Sequence, residues 1–161
     1  MAVSQMQQRY INFTTSLFQE GFVDEQFTQL QQLQDESNPD FVAEVVCLFF
    51  EDSEKLLGDL SKTLNQEPVD FKRVDGCVHQ FKGSSSRYAL RHISNTFIGA
   101  RRVMNTCVTF RAFCQDKNRE GCLYCLQQMK QECYLVKNKL ETLFQLEKQI
   151  VEAGGTVPMA E

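Results

Sequence analysis

The residues best suited to chemistry in this chain are His79 and Lys82, which Gly83 follows directly. A neutral imidazole is a nucleophile near pH 7, and it needs only exposure and the right tautomer to take up a phosphoryl group. Lys82 lies one helical turn after His79, so its ammonium can neutralise part of the charge on that group. Phosphoryl transfer depends mainly on positioning and charge neutralisation, which a partner with an aspartate and Mg²⁺ can supply. The spacing therefore predicts a phosphoryl-carrying histidine.

The helix that holds His79 has a clear apolar side, formed by Phe71, Val74, Val78 and Phe81. At about 100° per residue, His79 projects roughly 120° from the centre of that side, toward solvent. Gly76 and Gly83 flank it and leave the surface low, so another protein can approach closely. Each glycine inside a helix costs on the order of 1 kcal/mol against alanine, which invites a functional explanation. From spacing alone, a solvent-facing histidine without a role is the open alternative.

Apolar residues recur at helical spacing through most of the chain, and no segment alternates long enough to predict a strand. Residues 37–40 read as a helix cap with Pro39 at the first helical position, and Asp70 as the cap of the His79 helix. We expect an all-α fold whose four longer helices pack as an antiparallel bundle. The helical segments predicted are 4–20, 24–34, 41–68, 70–81, 98–114 and 119–151.

A length of 161 residues predicts a single domain, 1–161. Within it we assign 1–36 to N-terminal helices, 38–153 to the bundle that carries His79, and 155–161 to a frayed tail. The net charge of −4 offers no basic stripe, so no nucleic-acid partner is expected. No apolar run approaches the ~20 residues of a membrane span, and the polar N-terminus lacks a signal-peptide core. A soluble cytosolic protein without a membrane partner is the prediction.

The chain has seven cysteines, and all but Cys77 lie near apolar neighbours at helical spacing. We expect reduced thiols that fill gaps in the core. Cys122 and Cys125 have the spacing of a redox or zinc pair, but on a helix they are neighbours that face the core. No second pair or histidine stands at ligand spacing, so no metal site is predicted.

Two motifs point to a family: the run His-Gln-Phe-Lys-Gly-Ser-Ser at 79–85 and Ile-Gly-Ala-Arg-Arg-Val at 98–103. With them the chain resembles the plant histidine-containing phosphotransfer proteins, and the likeness extends over nearly its whole length. Further typical segments lie at 22–27, 30–35, 39–42, 122–126, 127–132 and 146–150. The resemblance implies six helices, all-α, with a C-terminal antiparallel four-helix bundle (the HPt domain). It also implies a phosphocarrier of cytokinin signalling, not an enzyme with its own nucleotide site.

By this resemblance, receiver domains of hybrid histidine kinases give a phosphoryl group to His79, which passes it to the aspartate of a response regulator. Lys82 steadies the group, Gly83 clears the docking surface and Gln80 shapes the receiver contact. We assign Gly76 and Ser84 to the same surface. No cofactor of its own is implied, because the partner receiver supplies Mg²⁺. A monomer that works in cytoplasm and nucleus is expected.

The chain departs from the family pattern in one place. It has eleven residues, Arg87 to Phe97, where family members have about one between the positions of Ser86 and Ile98. The segment either lengthens the His79 helix or bulges as a loop, which costs little in closure entropy, so the bundle should stay intact. A retained piece of intron is one explanation for it.

This segment keeps an alternative function open, because it lies close enough to Ser84 to obstruct docking. The alternative is an isoform that binds receiver domains without efficient transfer. A second histidine, His92, lies in the segment but lacks a Lys-Gly pair at the spacing of Lys82 and Gly83, so we do not expect it to accept phosphate. A coiled-coil scaffold is the third choice, and the Phe-rich pattern with short connections favours a compact bundle over it.

Overall fold

The structure, a computed structural model, describes residues 2–82 and 100–158. The described part of the chain consists of helices and connections without a strand, which confirms the all-α prediction. Each helix begins and ends within a few residues of a predicted segment. They are α1 (Val3–Gln19), α2 (Glu25–Gln32), α3 (Phe41–Leu64), α4 (Phe71–Lys82), α5 (Arg101–Gln115) and α6 (Arg119–Glu152).

The last four of these helices form a closed bundle. Helix α3 packs on α4, α4 on α5 and α5 on α6, and α6 returns to α3. The short connections 65–70 and 116–118 make the helices that they join run antiparallel. Helix α1 packs against α6 from outside the ring. The predicted four-helix bundle with preceding N-terminal helices is therefore confirmed.

The core of the bundle is made of the apolar sides that the sequence pattern marks. Phe81, Phe110 and Leu140 are almost completely buried, and they come from α4, α5 and α6. Burying one such side chain stabilises the fold by about 1.5–3 kcal/mol. Among the described helices, none combines the length and apolarity needed to cross a membrane.

The start of α3 differs from the prediction. The helix begins at Phe41, so Pro39 is not its first residue, and the Asp40 side chain makes no capping hydrogen bond. Residues 37–40 instead belong to a turn in which Asp35 Oδ1 accepts from the backbone N–H of Ser37 and Asn38. An aspartate that bonds its own downstream backbone stabilises a turn over a helix. The Asp70 cap is confirmed, since its Oδ1 accepts from the backbone N–H of Arg73 at 3.1 Å.

The C-terminal segment after α6 is also more ordered than predicted. The expectation that 155–161 frays is wrong for residues 155–158. The backbone N–H of Gly155 donates to Ile150 O at 2.9 Å, and Gln7 Nε2 donates to Thr156 O at 2.8 Å. Val157 packs against the core. The segment therefore lies against α1, held there by the hydrogen bond from Gln7, which is far away in sequence.

Candidate functional site

His79 lies exposed on α4, on the side away from the bundle core. Val74 and Val78 on the same helix are fully buried and Phe81 nearly so. The predicted orientation of His79 toward solvent is therefore confirmed. Gly76 is also exposed, and a Cβ added there would meet nothing within 4 Å. The surface one turn before the imidazole is thus low and open to another protein, with Gln80 half-buried beside it.

Several predicted site residues lie outside the described part of the chain. Lys82 is the last residue of α4, and its side chain is not among those described. Gly83 and Ser84 fall outside the described ranges, as does the segment Arg87 to Phe97 with His92. The roles assigned to these residues stay predictions that rest on sequence.

The structure adds an ion pair beside His79 that the sequence analysis missed. Arg111 on α5 donates from Nε to Asp75 Oδ1 at 3.1 Å and from Nη2 to Asp75 Oδ2 at 3.4 Å. The hydrogen bond to Asp75 raises the pKa of Arg111, so the guanidinium is firmly charged. Asp75 precedes His79 by four residues, which places both on one face of α4. That spacing is visible in the sequence, whereas the partner on α5 is not.

Two further arginines fix the beginning of α5, and both belong to the motif at 98–103. Arg101 Nε lies 3.1 Å from Asp24 Oδ2, and Arg102 Nε lies 2.7 Å from Glu132 Oε2. The Arg102 guanidinium also stacks 4.5 Å above the Phe22 ring. These contacts hold α5 against α6 and the start of α2. The two arginines thus position the helix that supplies Arg111.

Five of the seven cysteines are buried in the core, whereas Cys77 is half-buried and Cys47, which was expected to fill a gap in the core, is exposed. Cys122 and Cys125 are buried, as predicted, and Cys122 Sγ lies 3.8 Å from Cys114 Sγ. Burial raises the pKa of the Cys125 thiol to about 11. Within residues 2–82 and 100–158, no three His, Cys, Asp or Glu side chains come together as metal ligands would.

Comparison with known proteins decides the family. The Hpt domain profile matches residues 44–146. Over all of its 161 residues the chain is 58% identical to histidine-containing phosphotransfer protein 1 of Arabidopsis thaliana, and covers 98% of it. The chain belongs to the histidine-containing phosphotransfer family. Another member, protein 5 of the same plant, is 50% identical over 100% of this chain and 97% of its own.

Solved structures of the family agree with this assignment. The crystal structure of the phosphotransfer protein MtHPt2 from Medicago truncatula superposes with a TM-score of 0.81 at 47% identity, covering 94% of this chain and 96% of the other. The crystal structure of ZmHP2 from maize has a TM-score of 0.76 at 44% identity, and the match covers 90% of this chain and 99% of the other.

The relatives also include a pseudo histidine-containing phosphotransfer protein. Pseudo histidine-containing phosphotransfer protein 2 of Oryza sativa subsp. japonica is 44% identical, over 93% of each chain. Family membership therefore establishes the helical fold and the context of a phosphorelay.

Proposed function

We propose that this chain takes a phosphoryl group onto His79 from the receiver domain of a hybrid histidine kinase and passes it to the aspartate of a response regulator. Members of the family mediate phosphotransfer in two-component relays, where they interact with kinase and response-regulator receivers. The observation that supports the finer proposal is the exposure of His79 on an open face of α4. An acceptor that must meet two partners in turn needs such accessibility.

The proposed step is an in-line transfer between two nucleophiles. A nitrogen lone pair of His79 forms a bond to phosphorus while the bond from phosphorus to the donor aspartate oxygen breaks. The carboxylate leaves with its electron pair, and the reverse sequence delivers the group to the next receiver. No water enters, so the phosphoryl group is conserved. We assign Lys82 to neutralising its charge, while Mg²⁺ belongs to the partner.

The docking surface in this proposal consists of Gly76, Gln80, Gly83 and Ser84. The open space at Gly76 supports its part, because a glycine in the middle of a helix is otherwise unfavourable. The half-buried Gln80 is next to His79 in sequence and has polar atoms suited to contact a receiver.

The test is phosphoryl transfer from a phosphorylated hybrid-kinase receiver domain to three proteins. These are the full chain, its His79→Gln variant, and a version without Arg87 to Phe97. We expect acid-labile label on the full chain and the shortened chain, and none on His79→Gln. Label on His79→Gln at the wild-type rate would exclude His79 as the acceptor.

A second candidate function is receiver binding without efficient transfer. The position of the Arg87 to Phe97 segment directly after the His79 motif favours it, as does the similarity to a pseudo phosphotransfer protein. In that case only the shortened chain takes up label, while both bind the receiver. Receiver affinity measured on the same samples separates a blocked site from an unfolded one.

We further propose that the relay is that of cytokinin signalling and that the protein works as a monomer in cytoplasm and nucleus. Light scattering of the purified chain tests the monomer. A fluorescent fusion, followed before and after cytokinin treatment, tests the location. A fusion confined to one compartment contradicts a shuttle.

A further inference from the structure

A cavity of about 480 Å³ lies where α1, α2, α3, α6, the turn before α3 and the C-terminal segment meet. Its volume is in the range of small-molecule sites. Helix α4, which carries His79, does not contribute to its lining. Apolar and polar side chains share the wall. The polar ones are Tyr10, Gln31, Gln34, Asp40, Glu147, Lys148 and Glu152. The apolar residues used below are Val42, Phe144 and Val157.

Three of these polar side chains form a directed hydrogen-bond chain. Tyr10 OH donates to Glu147 Oε1 at 3.1 Å, and Gln31 Nε2 donates to Tyr10 OH at 3.5 Å. Tyr10 has a single hydroxyl hydrogen, so its oxygen can only accept from Gln31. This fixes the orientation of the Gln31 side-chain amide, with Nε2 toward Tyr10. Gln31 Oε1 is then buried with no hydrogen-bond partner among the described residues. This oxygen has almost no accessible surface, so the carboxylate that a molecule in the cavity can contact is that of the half-buried Glu147.

The burial of Glu147 is only partly compensated. Desolvation raises the pKa of its carboxyl group, and the hydrogen bond from Tyr10 offsets this only in part. Lys148 also lines the cavity, but its ammonium lies 4.0 Å from Glu152, where both side chains are exposed. The polar end of the cavity therefore presents acceptor atoms and negative charge.

We propose that this cavity binds a small primary ammonium ion with an apolar body. The ammonium donates to the Glu147 carboxylate, and the body packs against Val42, Phe144 and Val157. An ammonium carries a positive charge and only donates, which matches a lining in which the carboxylates of Asp40, Glu147 and Glu152 outnumber the single ammonium of Lys148. A hydroxyl supplies one donor and adds an acceptor, and a carboxylate is repelled by Glu147.

The test uses three probes of one shape on the full chain: 2-phenylethylammonium, 2-phenylethanol and phenylacetate. Binding is followed by amide chemical shifts in two-dimensional NMR. We expect 2-phenylethylammonium to cause saturable shifts at residues 31, 42 and 147. The alcohol should bind at least tenfold more weakly, and phenylacetate should not bind. Absence of shifts up to about 10 mM ammonium overturns the proposal, as does equal binding of phenylacetate.

Two variants distinguish a specific contact with the Glu147 carboxylate from a general effect of negative charge at the cavity. Glu147→Gln keeps an acceptor for Tyr10 and should weaken binding of 2-phenylethylammonium at least tenfold. Glu152→Gln removes one exposed carboxylate from the rim of the same cavity. It should change the affinity for 2-phenylethylammonium by less than twofold. Equal effects of the two variants reject the assigned site. If a variant does not fold, the comparison of the three probes on the wild-type chain still tests the proposed ammonium site.

Discussion

Asp75 and Arg111 join α4 to α5 one helical turn before His79, through hydrogen bonds of 3.1 and 3.4 Å. About a third of each side chain is exposed, 34% for Arg111 and 31% for Asp75. Such a pair stabilises a fold by about 0–1 kcal/mol, so stability alone gives it little importance. The charge of Arg111 matters more than the stability that the pair contributes. Arg111 neutralises a carboxylate that shares a helix face with the proposed phosphohistidine.

Arg111→Gln should therefore slow phosphoryl uptake by His79. Without the guanidinium, Asp75 faces the incoming phosphoryl group as an uncompensated negative charge. At an effective dielectric of about 20, unit charges about 8 Å apart interact by about 2 kcal/mol, and solvent screening lowers this further. We expect a loss of about three- to tenfold in rate, measured with a phosphorylated receiver domain.

The double variant Asp75→Asn with Arg111→Gln distinguishes neutralisation from direct contact. If Arg111 acts through Asp75, removing both charges restores the rate to within about twofold of wild type. If the double variant stays as slow as Arg111→Gln, the guanidinium contacts the phosphoryl group itself, and the neutralisation argument is wrong. Thermal unfolding of all variants checks that the bundle is intact.

Gly76→Ala should stabilise the protein and still impair transfer. A methyl group at this exposed helix position meets nothing within 4 Å, and alanine in a helix interior gains about 0.5–1 kcal/mol over glycine. Receiver approach, however, is obstructed one turn before His79. Thr15→Ala, exposed on α1, which packs on α6, is a control that raises helix propensity and removes only the hydrogen bond from Thr15 Oγ1 to Ile11 O. Unchanged transfer in a stabilised Gly76→Ala protein would remove Gly76 from the docking surface.

Glu147→Gln should gain stability over wild type as the pH rises. The pKa of Glu147 in the fold is above its ordinary value of 4.5, so the folded state holds this proton more tightly than the unfolded chain. Wild-type stability therefore falls as pH increases from about 4.5 through the folded pKa, and the amide has no such loss. Urea unfolding at pH 4, 5.5 and 7 measures the difference. The exposed Glu152→Gln is the control, and a difference independent of pH contradicts a raised pKa at Glu147.

The cysteines should react with a disulfide reagent in two well-separated groups. Cys47 is exposed and Cys77 half-buried, whereas the other five are buried. The thiolate is the reactive form, and burial raises the pKa of Cys133 to about 12. In the native protein Cys47 should react first and Cys77 slowly, since burial raises its pKa too. All seven react after unfolding, and Cys47→Ser removes the fast phase. Rapid modification of more than two thiols would show that the core opens readily.

The sequence by itself located the helices and the direction of His79. Both follow from local periodicity, since Val74 and Val78 mark the buried side of α4 and thereby turn the imidazole outward. The Asp70 cap was also predictable from local sequence, because a capping side chain bonds a backbone group only three residues away. The start of α3 was not, because Asp35 competes for the same stretch of backbone and the sequence does not rank the two outcomes.

Only the tertiary structure decided which distant side chains meet. Asp75 and Arg111 are 36 residues apart, and Tyr10 and Glu147 are 137 apart. Periodicity says which side of each helix is buried, but not how far one helix is shifted along its neighbour or which polar residues this brings into register. The packing of α5 on α4 gives His79 its ionic neighbourhood. The packing of α1 and the C-terminal segment on α6 creates the cavity around Glu147.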